Sequence, residues 1–120
     1  MPVKSLTSSV LKWPDPQSVK QSLAQWAEAL AKVQQEIVRI GYFGSYARGD
    51  WGVGSDLDLV IVLKHSSLPF HRRATMVDTT PLPVAADVLV YTVEEWNRLL
   101  QKGRFGRMLE KEVVWIFTLV

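Results

Sequence analysis

Asp56 and Asp58 stand one residue apart at the head of the run Asp56-Leu57-Asp58-Leu59-Val60-Ile61-Val62. A run this apolar reads as a buried strand, on which residues i and i+2 point to the same face. Two carboxylates side by side among such neighbours repel one another and are costly to desolvate. A cation between them relieves the repulsion. Oxygen ligands on a rigid strand suit Mg²⁺ or Mn²⁺, which keep some waters and complete their shell from a substrate phosphate. Upstream, Gly44 and Ser45 read as a sharp turn that opens a short helix. A small residue followed by a hydroxyl there lets backbone N–H groups come close to an anion. A phosphate cradle leading into a two-carboxylate metal site is equipment for phosphoryl or nucleotidyl transfer.

The flanking sequence supplies the elements that must hold these groups. Val19, Leu23, Trp26, Leu30, Val33 and Ile37 recur at three- and four-residue steps, so a helix with one apolar stripe is predicted from about Asp15. Before it, residues 1–14 read as a lead-in broken by proline. A first strand is predicted over 36–43, running into Gly44, then a short helix over 46–50 and a glycine-rich connection over 50–55. The second strand is Leu57 to Leu63, apolar on both faces as at a sheet centre. Residues 64–83 carry Pro69, Pro81 and Pro83, which leaves room only for one or two helical turns over 70–77. Val84 to Tyr91 reads as a third strand, with Asp87 inside it. Thr92 and Glu95 form a capping-box pattern for a helix to about Gln101, ending near Gly103. A further helix over 105–111 and a closing strand over 113–119 follow. The alternation predicts an α/β fold, a mixed central sheet with helices mainly on one face, in one domain covering 1–120.

The string Gly44-Ser45, ten intervening residues, then Asp56-Leu57-Asp58 resembles the signature of the polymerase-beta nucleotidyltransferase superfamily. With Ala47-Arg48-Gly49 and Ser55-Asp56-Leu57-Asp58-Leu59 it is most similar to the minimal nucleotidyltransferases of bacteria and archaea. The resemblance implies a third acidic residue on a neighbouring strand, which Asp87 matches by context. It implies that Asp56, Asp58 and Asp87 ligate Mg²⁺ or Mn²⁺ and carry the catalysis, with ATP as substrate. Gly44, Ser45 and Arg48 would hold the triphosphate. It further implies a protein partner of the HEPN family, the nucleotidyltransferase acting as antitoxin by moving AMP to a partner tyrosine. Adenylylation of a small molecule such as an aminoglycoside, and a non-catalytic binding module, are the alternatives; the intact Asp56 and Asp58 speak against the latter.

Composition bounds the remaining classes. At 120 residues, 48% apolar and 22% charged, the chain can bury a core of its own. A net charge of +2 gives no argument for direct nucleic-acid binding. The cluster His65, His71, Arg72 and Arg73 reads as a solvated loop. With no cysteine, neither a disulfide nor a thiolate metal site is possible. No apolar run approaches a membrane span, and a cytoplasmic location is expected. Of the five tryptophans, most are expected in the core. Trp51, in the glycine-rich connection, is the expected contact to the acceptor.

Overall fold

The computed structural model describes residues 16–49 and 56–119. The predicted lead-in and the connection over 50–55, with Trp51, lie outside the described residues. Helix α1 spans Pro16–Val33 and leads to β1, Ile37–Phe43. After Gly44 comes α2, Ser45–Arg48, a single turn. Strand β2 is Leu57–Leu63, α3 is Phe70–Arg73 with a 3₁₀ turn at Ala74–Met76, and β3 is Ala86–Thr92. Then follow α4, Val93–Gln101, α5, Gly103–Glu112, and β4, Val114–Thr118.

The strand order is β3-β2-β1-β4, with β2 and β3 parallel and the other two pairs antiparallel. The sheet is therefore mixed, as expected. Parallel pairing needs a crossover, and the proline-broken segment 64–85 supplies it. That segment is tied down by Arg73, which is 6% exposed. Its Nε donates to the Leu68 carbonyl at 2.9 Å and its Nη1 to the Val90 carbonyl at 3.2 Å. The guanidinium also grips Glu95 bidentately, at 2.5 and 3.1 Å. Arg73 thus departs from the expected solvated loop: it is a buried staple between the crossover, β3 and α4. Burial is tolerated because a fork-shaped cation here finds an acceptor for each nitrogen.

Helices cover both faces of the sheet rather than mainly one. Leu57, Leu59 and Ile61 face Val19, Leu23, Trp26 and Ala27 of α1, with Tyr46 of α2. Val60 and Val62 face Trp96 of α4 and Leu109 of α5, with Trp115 packed alongside. The cause is in β2 itself, whose two faces are both apolar and both need cover. Each fully buried leucine or isoleucine here stabilises the fold by roughly 1.5–3 kcal/mol. Removing the side chain of Leu59, which is 0% exposed, is expected to cost about 2–5 kcal/mol.

Local signals decide most boundaries. The Thr92 hydroxyl accepts from the Glu95 amide at 3.2 Å, and the Glu95 carboxylate accepts from the Thr92 amide at 2.8 Å. This is the predicted capping box, worth about 1 kcal/mol. The stripe of α1 ends sooner than predicted. Ile37 belongs to β1, and Val33, the last helical residue, is 81% exposed. Helices α4 and α5 pack so tightly that a Cβ on Gly106 would collide with the Leu99 carbonyl. Trp26 and Trp96 are core residues, and the Trp26 indole donates to the Asp78 carbonyl at 2.8 Å.

Candidate active site

The strand parity of β2 places the acidic residues. Asp58 shares a face with Val60 and Val62, the face that α4 and α5 cover, but lies at the strand's beginning. Asp56, two residues earlier, is on the same side and exposed. In the parallel register of β2 and β3, Asp58 pairs with Asp87. Neighbouring strands run about 4.8 Å apart, so the two carboxylates are carried next to each other. On the other side of Asp58, its antiparallel partner is Phe43, the residue that ends β1 and leads into Gly44. The sheet thus brings Asp58, Asp87 and the Gly44–Ser45 turn together at one edge.

Gly44 is required at this turn for two reasons. Its φ of +77° is one that side-chain-bearing residues rarely adopt. A Cβ there would also collide with the Asp58 carboxylate. The turn therefore lies directly against the acid pair. Ser45 opens α2 with its side chain half-buried.

The electrostatics follow from this crowding. Burial, first, then the charges of Asp87 and Asp56 push the Asp58 carboxyl above its usual range; Arg48 opposes and Glu112 adds to the rise. Coupled carboxylates on one face are the situation that a cation relieves. The donors are hard oxygens, the right kind for Mg²⁺ or Mn²⁺. Among the described residues, however, no three acid or histidine side chains already close around one point.

Arg48 is held by a residue that reading the sequence missed. Its Nη1 lies 3.1 Å from Oε1 of Glu112, at the end of α5. The same oxygen accepts from the Gly44 amide at 2.6 Å. One signal for Glu112 was available: a carboxylate in the last turn of a helix opposes the helix dipole and needs another reason to be there. A cleft of about 800 Å³, lined by Ile61, Leu63, Val77 and Val90 among others, opens toward the far end of the sheet from the acid pair.

A family model described as a nucleotidyltransferase domain matches residues 23–117, a span that contains every one of these groups. The chain belongs to the nucleotidyltransferase domain family. No curated protein sequence matches this nucleotidyltransferase domain. Its fold is similar to the crystal structure of a protein from Sulfolobus solfataricus assigned as a nucleotidyltransferase, with a TM-score of 0.63 at 22% identity. That alignment covers 86% of this chain and 83% of the other. A toxin–antitoxin structure with AMP-PNP is similar at a TM-score of 0.53 and 14% identity, over 80% of this chain and 73% of that one. Among the described residues, no helix of this nucleotidyltransferase domain is long and apolar enough to cross a membrane.

Proposed function

We propose that this chain is a metal-dependent transferase that moves AMP from ATP to a hydroxyl of a protein partner, a HEPN-family toxin for which it is the antitoxin. The observation that carries the reading is the in-register pairing of Asp58 with Asp87 against the Gly44 turn. Membership of the nucleotidyltransferase family supports the reaction class. The fold likeness to a toxin–antitoxin structure with AMP-PNP supports a protein partner and an adenine nucleotide; the HEPN identity of that partner rests on the sequence resemblance.

In this reading Asp56, Asp58 and Asp87 hold Mg²⁺ or Mn²⁺. The bound metal neutralises the triphosphate and lowers the pKa of the attacking hydroxyl. The Ser45 hydroxyl and the amides of its turn hold the β- and γ-phosphates. Asp87, at the exposed side of the pair, accepts the proton of the acceptor hydroxyl as its oxygen bonds to the α-phosphorus. The bond from the α-phosphorus to the β-bridging oxygen breaks in line, and pyrophosphate leaves with the electron pair. Most of the rate then comes from positioning and from charge stabilisation.

Incubating the chain with ATP, Mg²⁺ and a HEPN-family protein encoded beside it, followed by intact-mass and peptide analysis, tests the proposal. AMP should appear on a tyrosine of the partner and should not appear with Asp58→Asn. Adenylylation of an aminoglycoside, with the partner untouched, would move the acceptor to small molecules.

A further inference from the structure

We infer that Glu112 is a positioning residue for the phosphate turn, holding Gly44 and Arg48 in place through a single carboxylate oxygen. The inference rests on the reading that this turn receives the phosphates of a nucleotide.

The geometry is specific. Oε1 of Glu112 accepts from the Gly44 amide at 2.6 Å and from Arg48 Nη1 at 3.1 Å, and the side chain is only 15% exposed. Gly44 is itself buried, so without Glu112 its N–H would lose its acceptor away from water. From the other side, Asp58 packs against the Gly44 Cα. Gly44 is therefore clasped between two carboxylates from distant parts of the chain. The Asp58 contact sets how near the turn comes to the acid pair, and the Glu112 bond prevents it from rotating away. Arg48 is held by the same carboxylate at the exit of the turn. Glu112 sits at the C-terminal end of α5, where the helix carbonyls disfavour a carboxylate. The two charge-assisted hydrogen bonds offset that cost.

Calorimetric titration with Mg·ATP and the transfer kinetics of wild type, Glu112→Ala and Glu112→Gln test this. Glu112→Ala should weaken Mg·ATP binding about tenfold, as for one lost hydrogen bond to a charged group, and raise KM more than it lowers kcat. Glu112→Gln keeps an acceptor oxygen for both donors and should return to within about threefold of wild type. On an Arg48→Ala background, Glu112→Ala should cost less than it does alone, because the two act together. Binding by Glu112→Ala as tight as wild type, or tighter, overturns the inference, as does a Gln variant no better than the Ala variant. If Glu112→Ala does not fold, binding by Glu112→Gln more than tenfold weaker than wild type overturns it. Wild-type chain that binds no Mg·ATP would sink the parent reading and this one together. Wild-type binding with indifferent Glu112 variants sinks this one alone.

Discussion

Replacing Glu95 by Gln removes the charge from a carboxylate that three donors share. The two Arg73 nitrogens and the Thr92 amide all donate to it. These bonds, those from Arg73 foremost, lower its pKa from 4.5 to about 2. At ~1.4 kcal/mol per pKa unit the lowering corresponds to at most about 3–4 kcal/mol. The Glu95 side chain is 31% exposed, and solvent screening brings the expected contribution to about 1–2 kcal/mol. A depressed carboxylate pKa gives stability that is complete above the unfolded value of 4.5 and is lost as pH falls toward 2. Urea unfolding of wild type and Glu95→Gln should therefore differ by ~1–2 kcal/mol at pH 7. For a chain of this size that is a fall of roughly 3–10 °C in Tm. Other carboxylates titrate in the same range, so the difference between the two proteins is the quantity to follow. It should narrow steadily from pH 4.5 to pH 3, because the Glu95 carboxyl of the unfolded chain then takes up the proton while the folded one stays ionised. A gap that stays constant from pH 7 to pH 3, or no gap at pH 7, would refute the assignment of Arg73 and Glu95 as the staple of the crossover.

The active-site edge gives further expectations. Asp58 has a raised pKa, so the metal-free fold loses stability as pH rises above the ordinary 3.8; Asp58→Asn should therefore melt at or above wild type at pH 7 without metal. A variant that melts well below wild type would contradict the crowding. Mn²⁺ with ATP, at a hundredfold excess over the dissociation constant, should stabilise wild type by about 2.7 kcal/mol and Asp58→Asn by far less, read as Tm shifts. Asp87→Asn should cut AMP transfer by at least ~10²-fold with the fold intact by circular dichroism; wild-type turnover would remove Asp87 from the chemistry. Gly44→Ala must adopt a positive φ and push the Asp58 carboxylate aside, and should lose about 2 kcal/mol or more in urea unfolding.

Where a residue's surroundings come from its own segment, sequence was enough to place it. Strand β2 has the predicted bounds because an apolar run interrupted only by Asp58 and flanked by polar residues leaves little freedom, and the capping box at Thr92 and Glu95 is a four-residue pattern. Residues whose role depends on a distant partner were harder. Arg73 sits in a segment with prolines and no apolar period, and its acceptors at Val90 and Glu95 lie beyond the 3₁₀ turn and the crossover. Glu112 meets Gly44 across a separation of 68 residues, and only its awkward position at a helix end hinted at another task. The two-sided cover of the sheet was legible in β2, apolar on both faces, yet which helix takes which face depends on connection and handedness. Asp87 was identified through resemblance and context, and the β2–β3 register sets it beside Asp58.

Strand β4 pairs with β1 across the longest sequence separation in the sheet, with Arg39 opposite Thr118. Glu112 immediately precedes that strand, so the two are delivered together. A ribosome adds about 5–20 residues per second. Roughly 3–14 s of synthesis therefore separate the emergence of Gly44 from that of Glu112, given the 68 residues between them. Contacts this remote also close late, after the loop entropy between them has been met. For the last 25 residues of that interval, about 1–5 s, the nascent chain carries Asp56, Asp58 and Asp87 but lacks the clasp on the Gly44 turn. On the proposed reading of the site, a ribosome stalled before residue 112 would hold the acidic residues without a finished cradle.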